Sequence, residues 1–547
     1  MRTTLLRSKV LQVFGLALLA LSGALRAQIQ VNTTVAPPAE APPVEVKDGT
    51  VTISLQEAVE IALRQNIGLL IQRYTRSEAR LGVDQTLGIY DTLANSTASA
   101  SEVASPTVST IQGSQTNRQV VNFGFDQVVP TGGRFTLGWD NSRSEENNPT
   151  TLFSPRYNSN LNFTFRQPLL RDFGRLPTER QILLARSRNQ GSRVELERQV
   201  NLVTQQVINA YWDLVEALDQ LLVTQQSLDL AKQLHERNRI QVEVGTLAPL
   251  ELVQSEAAIA TREEDIIRSQ GAVGDAEDAL RRLLNLPQGA LWQAEIKPST
   301  EPEAEKATID LDQAIQTALA ERPEIRAQQA VIEQARIDWG YSRNQLRPAL
   351  DLTLDYGLSG VGGTLIERDR TTGEIIRTFP GGFGDAFDQV TGLDFDGWTA
   401  TLVFGFPLQN RAARAQLATD RLEHERTQAV LQDIQQAIIT EVRQTARRVD
   451  TSLKSIDAAH ASVRFQERSL DAEKKRYENG MSSSFEITRI QDDLTQARSR
   501  EVSAVVAYRR AVADFQRATG QLLDAQGITL DDPEQPIDRF QFRLFGR

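Results

Sequence analysis

The chain contains no cysteine. That excludes disulfide frameworks, thiolate metal sites and cysteine nucleophiles, and no cysteine-borne lipid anchor is expected. Histidine is nearly as scarce. His235, His424 and His460 are the only three, scattered along long helical segments rather than grouped as ligands. His235 stands where a second copy of the same pattern carries Leu470, so it reads as a packed helix position. No metal, cofactor or catalytic constellation is expected, and the chain does not read as an enzyme. Beyond the N-terminus no stretch approaches the roughly 18 consecutive apolar residues of a membrane helix, so a membrane-spanning form would have to be a barrel. A basic surplus is missing too: the formal net charge is −11, which makes nucleic acid a poor partner because phosphates need neutralising cations. Gly360-Val-Gly-Gly363 and Gly381-Gly-Phe-Gly384 lack the strand-to-helix setting and the lysine of a phosphate cradle, and read as loop glycine.

What is present starts with a basic N-terminus. Arg2, Arg7 and Lys9 precede an apolar run from Val10 to Leu25, with small residues at Ser22, Gly23, Ala24 and Ala27. A positive segment, a short apolar segment and a small-residue zone describe a signal peptide over 1–27, cleaved after Ala24 or Ala27. Its removal takes four basic side chains and moves the net charge to −15. Residues 28–50 include Ala-Pro-Pro-Ala-Glu-Ala-Pro-Pro and read as an extended linker, because proline lacks the amide donor that regular structure uses.

The rest of the chain repeats itself. Ile53-Ser-Leu-Gln-Glu-Ala58 returns as Ile309-Asp-Leu-Asp-Gln-Ala314, a shift of 256, and Glu243-Val-Gly245 returns as Glu478-Asn-Gly480, a shift of 235. The apolar positions Val207, Leu214, Leu221 and Leu228 map by that second shift onto Val442, Val449, Ile456 and Val463. Two structural repeats follow, 51–290 and 309–523, with a linker at 291–308 and a tail at 524–547. Ser54-x-x-Glu57 and Asp310-x-x-Gln313 are capping boxes that each open one helix, running to about 90 and about 346.

Each helix leads into segments of period two. Leu350, Leu352, Leu354 and Tyr356 share one strand face, against Asp351, Thr353 and Asp355 on the other. Trp398 to Phe406 alternates likewise, presenting Trp398, Leu402, Phe404 and Phe406. The first repeat offers Phe123/Phe125, Phe135/Leu137/Trp139 and Leu161/Phe163/Phe165. Strands are expected over about 92–167 and 349–407, and this alternation suits either a barrel wall or a one-sided soluble sheet. The stretches 143–157 and 359–397 read as long loops. Long helices complete each repeat: hairpins over about 175–284 and 411–523, with tips at Gly245 and Gly480. Leu252, Ile259, Ile266, Val273 and Leu280 on the first return helix, and Ile487, Leu494, Tyr508 and Phe515 on the second, keep a seven-residue period that specifies a coiled-coil seam. Glu501 interrupts the second series.

Taken in order, these pieces resemble the TolC-like outer-membrane efflux and secretion channel family over nearly all of the mature length. The resemblance rests on the doubled openings Leu55-x-x-Ala58-x-x-x-Ala62-Leu63 and Leu311-x-x-Ala314-x-x-x-Ala318-Leu319, the latter continued by Arg322-Pro-Glu-Ile325. It also rests on Gln167-Pro-Leu-Leu-Arg-Asp-Phe-Gly174 with its counterpart Phe406-Pro-Leu408, and on Asn209-Ala-Tyr-Trp-Asp-Leu214. It implies an α+β membrane protein in which a trimer-shared outer-membrane β-barrel continues into a long periplasmic coiled-coil tunnel. It also implies a homotrimer partnered by a periplasmic adaptor, an inner-membrane transporter and outer-membrane lipid. The lipid-facing set would be Leu350, Leu352, Leu354, Tyr356, Trp398, Leu402, Phe404, Phe406, Phe163 and Phe165. A gate is implied at the second tip, where Tyr477 and Gly480 match the family. Ser482 replaces the family's arginine there, Glu486 its first aspartate and Arg489 its second. Glu486, with Glu251 of the first copy, would form an acidic ring, and Arg489 would pair with an acid. The turns Val244-Gly245-Thr246 and Asn479-Gly480-Met481 would meet the adaptor. The family barrel takes four strands per chain, whereas Pro130-Thr-Gly-Gly133 suggests a turn between extra strands, up to six. Either the barrel is larger or one hairpin lies outside it as loop structure, and the second is the expectation adopted. The function implied is a passive conduit of an efflux or type I secretion system. The alternative is a periplasmic adaptor-type coiled-coil protein, which would carry one hairpin flanked by small β domains.

Overall fold

The computed structural model describes residues 49–106, 113–148, 150–286, 288–300, 309–369 and 374–528. The expected signal segment, most of the proline-rich stretch, part of the 291–308 linker and most of the tail lie outside them. The chain divides into two compact units, and both sequence repeats contribute to each.

One unit holds 79–189 and 332–427. Its sheet contains β2 (Leu93–Ala104), β3 (Gln115–Val128), β4 (Arg134–Glu146), β5 (Phe153–Pro168), β7 (Ala349–Arg368), β8 (Ile375–Phe379) and β9 (Asp396–Gly405). The six long strands run in the order β2-β3-β4-β5-β7-β9, every neighbouring pair antiparallel. The hairpin around Pro130, expected outside the barrel as loop structure, is regular strand paired into this sheet. β3 and β4 pair without interruption from Thr116↔Glu146 to Val128↔Arg134, and the Val129 amide donates to the Gly133 carbonyl at 2.9 Å to close the turn.

Because side chains alternate along a strand, register decides what shares a face. Ala94, Phe125, Leu137, Phe163, Tyr356 and Trp398 form one row across all six strands. The next row, on the other face, is Leu93, Asp126, Thr136, Thr164, Asp355 and Thr399. Thr136 donates to Asp126 at 2.8 Å and Thr164 to Asp355 at 2.7 Å, so the polar face is cross-linked within itself.

Much of the two stretches expected as loop is regular structure among the described residues: β4 runs to Glu146 and β5 starts at Phe153 within 143–157, and 359–397 holds the end of β7, β8 and a helix. β7 extends into the latter stretch to Arg368, and the helix, Phe383–Thr391, packs on β7. That helix reads Phe383, Ala386, Phe387, Val390 at helical spacing, with Ala386 and Val390 buried. Gly360 and Gly362 make room for it: a Cβ on Gly360 would lie 1.9 Å from the Ala386 carbonyl oxygen.

The other unit holds the described residues of 49–78, 190–331 and 428–528. In chain order the helices are α1 (Leu55–Gln65), α2 (Ile67–Leu87), α3 (Arg175–Glu243), α4 (Pro249–Leu284), α5 (Ala290–Gln293), α6 (Leu311–Glu321), α7 (Pro323–Gln345), α8 (Phe383–Thr391, described above), α9 (Arg411–Glu478), α10 (Ser484–Ala518) and α11 (Leu522–Ala525). A two-stranded parallel sheet joins β1 (Thr50–Ile53) to β6 (Glu295–Pro298). The single helix expected at each repeat's start is two helices in both copies. The breaks fall at Asn66 and Arg322, which are 256 residues apart like the openings themselves. Pro323 forces the second break. Asn66 makes the first by taking the Leu69 amide on its side chain at 3.2 Å. Only Ser54 forms a complete capping box; Asp310 accepts from Asp312 and Gln313 amides without a return bond.

The seven-residue stripe of α9 is buried at Val442, Val449, Ile456 and Val463, and it continues through Leu470 to Tyr477. On α3, Val207, Leu214 and Leu228 are buried and Leu221 is half-buried. The return helix α4 departs from expectation. Its stripe Leu252, Ile259, Ile266 and Val273 is half-buried, while Ser255 and Arg262 are buried. Arg262 holds that place because Ser227 on α3 accepts from it at 3.0 Å and Asp492 on α10 at 2.6 Å. A buried cation so paired is satisfied where a bare one would not be.

Candidate functional site

The two helix tips are built alike. In the first, Gly245 has φ +77°, the left-handed region that glycine enters without a Cβ penalty. Its amide reaches the Val242 carbonyl at 3.0 Å, and the Thr246 amide reaches the Gln241 carbonyl at 2.9 Å. In the second, Gly480 has φ +71°. There the Gly480 amide bonds Tyr477 O at 3.0 Å and the Met481 amide bonds Arg476 O at 2.9 Å. The six-to-one bond is the closing bond of a Schellman cap. After each turn the chain re-enters a helix, α4 behind Pro249 and α10 behind Ser483, whose hydroxyl takes the Glu486 amide at 3.4 Å. The turns leave Val244 and Met481 exposed, together with Leu250, Val253 and Phe485.

Below the turns the seam changes from apolar to polar. On α3, Ala231, Leu234, Asn238 and Gln241 follow the three-four-three spacing of a packed stripe. On α9 the corresponding series is Leu470, Glu473 and Tyr477. Asn238 and Glu473 are both buried, and they are equivalent under the 235-residue shift. The Tyr477 hydroxyl lies 2.7 Å from Asn238 Oδ1 and 2.8 Å from Gln241 Oε1. A phenol has one proton, so it donates to one of these amides. With the Asn238 amide turned about, it accepts from the other, which also gives work to the Asn238 Nδ2, unpartnered among the described residues. Burial, and after it the Glu251 carboxylate, push the Tyr477 phenol up from its ordinary value, so it remains a donor at neutral pH.

The charged residues are paired rather than bare. Glu251 accepts from the Ser484 hydroxyl, joining the first return helix to the start of the second. Glu473 accepts from Ser482 and pairs with Arg476 at 3.1 Å. Arg237 of α3 meets Glu478 of α9 at 3.0 Å. Glu486 sits in the first turn of α10, and Arg489 of the same helix holds it at 2.8 Å while lying 3.5 Å from Asp493. The structure thus brings Tyr477 together with Asn238 and Gln241, and Glu251 with Ser484. Glu486 and Arg489 form a separate, exposed pair. Sequence reasoning named Tyr477 and Glu251 but missed Asn238, Gln241, Glu473 and Ser484. The seam spacing was the available signal for the first three.

The expected lipid-facing residues also fall together. Leu350, Leu352, Leu354, Tyr356, Trp398, Leu402, Phe404, Phe163 and Phe165 share one face of the sheet, and Phe406 follows directly after β9. Phe123, Trp139, Phe387 and Phe383 make a connected aromatic run on that face. Among the described residues no helix is long and apolar enough to cross a membrane, which says nothing about a β-barrel.

Comparison with known proteins finds similarity in both sequence and fold. The family model described as outer membrane efflux protein matches residues 133–286 and 314–521. The cation efflux system protein CusC of Escherichia coli O157:H7 is 26% identical over 233 residues, 42% of this chain and 47% of that protein. The chain therefore matches about half the length of its curated relative. The CmeC outer membrane channel of Campylobacter jejuni superposes with a TM-score of 0.60 at 16% identity, covering 86% of each chain. The outer membrane protein VceC of Vibrio cholerae gives 0.60 at 16% identity, over 85% of this chain and 96% of that one.

Proposed function

We propose that this chain, which belongs to the outer membrane efflux protein family, is the outer-membrane conduit of a tripartite export system. The observation that carries the reading is the sheet. One row, Phe125, Leu137, Phe163, Tyr356 and Trp398, is continuous in register across strands, and the adjacent row is Asp/Thr-rich. An apolar outside and a hydrogen-bonded polar inside describe a barrel wall. One copy leaves two edges unpaired among the described residues, and lipid offers nothing to satisfy them. Copies must therefore share the barrel, and we assign a homotrimer. The helices then form a periplasmic tunnel whose tips carry the gate and the adaptor contacts. Val244, Gly245, Thr246, Asn479, Gly480 and Met481 suit that contact because the turns expose apolar groups between fixed backbone caps. Cargo moves passively, with energy supplied by an inner-membrane transporter.

The polar seam gives the gate a physical basis. An apolar seam pulled apart loses its burial outright. A hydrogen-bonded one exchanges partners with water, at a net of about 0.5–1.5 kcal/mol per bond. Tyr477, Asn238 and Gln241 can therefore part where Leu470 and Leu234 stay packed. The test is direct: protein extracted from outer membranes in detergent should sediment as a trimer and conduct ions in planar bilayers. A monomer with no conductance would sink the proposal.

A further inference from the structure

We infer that six strands of each copy enter the shared barrel, and that copies join by pairing the outer edge of β9 in one with the outer edge of β2 in the next. The inference rests on the channel reading above. What it adds is the joining surface, the strand number and the bore.

The family match begins at Gly133, one residue before β4, so it takes in β4, β5, β7 and β9 and leaves β2 and β3 out. Yet β2 and β3 are wall, not decoration. Their register continues that of the matched strands, and they place Ala94 and Phe125 in the apolar row and Asp126 in the polar one. A four-strand share would require β9 of one copy to meet β4 of the next. That edge of β4 is occupied by β3 from Thr116 to Val128. Among the described residues the long strands paired on one side only are β2 and β9; the short β8 shares with β9 the far edge of β7. Six is even, so β9 runs opposite to β2, and the antiparallel alternation carries across the joint.

The two edges also match in size. On the apolar face β9 carries Trp398, Leu402 and Phe404, which are 77%, 61% and 67% exposed. The same face of β2 carries Ala94, Ser96, Ala98 and Ala100. Large side chains on one edge would have room beside the small ones on the other.

Three copies then make an eighteen-stranded barrel. With strands about 4.8 Å apart and tilted about 40°, its backbone diameter is about 36 Å, against about 24 Å for twelve strands. The polar face is also cleared at one level. The row Asn95, Gly124, Gly138, Asn162, Gly357 and Gly397 crosses all six strands with four glycines. Asn95 lies over Gly124, and Asn162 over Gly357. A ring with so few projecting side chains suits solutes of large cross-section.

The absence of cysteine makes the test clean. Thr97→Cys on β2 is combined in the full chain with Thr399→Cys, Thr401→Cys or Val403→Cys on β9, all on the polar face, and oxidised in intact outer membranes. Disulfide-linked dimers and trimers in at least one combination are expected. Thr136→Cys on β4 with the same three partners should give none. Linkage through Thr136 and not Thr97 would overturn the inference and restore a four-strand share, as would a membrane trimer that links through neither. A chain found outside the membrane, or as a monomer there, refutes the channel reading itself and is recognised before any cross-linking. Counting strands in a reconstruction of the trimer gives an independent answer, eighteen or twelve.

Discussion

Replacing Tyr477 with phenylalanine removes one oxygen and leaves the ring in its seam position. The hydroxyl is 2.7 Å from Asn238 and 2.8 Å from Gln241, and Asn238 is fully buried. Its loss strands buried amide groups, a penalty of about 1–2 kcal/mol per tip in the closed form. Once the tips part, those amides meet water and the penalty vanishes. The substitution therefore acts on the closed state alone. If three tips open together, the closed form loses about 3–6 kcal/mol, a shift in the closed-to-open ratio of about two to four powers of ten. Single-channel recording in planar bilayers reads this directly as longer and more frequent high-conductance openings. Adding Asn238→Leu to Tyr477→Phe removes the main stranded amide and should restore much of the closure, because an apolar pair of similar shape needs no partner. Unchanged conductance and dwell times for Tyr477→Phe, in a protein that still forms trimers, would refute the hydrogen-bonded seam as the latch.

Two further outcomes follow from the paired charges. Arg322 is buried and holds Glu324 at 2.9 Å, Glu441 at 2.8 Å and the Ala518 carbonyl at 3.2 Å, while Arg517 also reaches Glu441. Arg322→Met should destabilise the helical unit by about 2–3 kcal/mol, below the range for a fully buried pair because Glu441 keeps Arg517 and part of its solvent; thermal unfolding in detergent measures it. Burial alone would raise the Glu441 carboxyl, but Arg322 and Arg517 outweigh it and hold the group below its ordinary value. A depressed acid stabilises the fold above its unfolded pKa and loses that contribution as pH falls through the folded one. Stability should therefore drop on the acid side of about pH 4, and the drop should be shallower in Arg322→Met; equal slopes would remove this pair as its cause. Near the second helix tip, Glu486 is paired with Arg489 on its own helix. Arg489→Gln should expose the carboxylate and strengthen cation preference, whereas Glu486→Gln should weaken it. Reversal potentials in asymmetric salt give the answer, and no change in either variant would place the pair away from the constriction.

Much of the fold was legible because most of it is periodic. Val442 to Val463 announced a buried stripe, and the structure extends that stripe two steps further to Tyr477. Other features were written in the sequence in forms that hydrophobic periodicity does not detect. The break at Asn66 has no proline, yet its copy at Arg322 precedes one, so the 256-residue shift already carried the information. The helix Phe383–Thr391 was hidden by glycines read as loop, although Phe383, Ala386, Phe387 and Val390 keep helical spacing.

The seams show why the remaining site residues escaped notice. A periodic reading sorts residues by whether they prefer water, and it assigns asparagine, glutamine, glutamate and arginine to the surface. Arg262 is buried nonetheless because Ser227 and Asp492 satisfy it. Asn238 is buried beside Tyr477. In both places the partner lies on another helix, 35 to 239 residues away in sequence, so no local window contains both halves of the reason. What a sequence can reveal is the position: a polar residue at a spacing reserved for apolar ones is either a defect or a place where the packing is meant to come apart. At the tip the second reading has the stronger physical case. On α9 the apolar stripe from Val442 to Leu470 leads up to the last turns, where hydrogen bonds at Glu473 and Tyr477 take over from burial, as they do farther along at Arg262. A seam built in that order separates from its polar end first, which is the end at which the glycine turns reverse the chain.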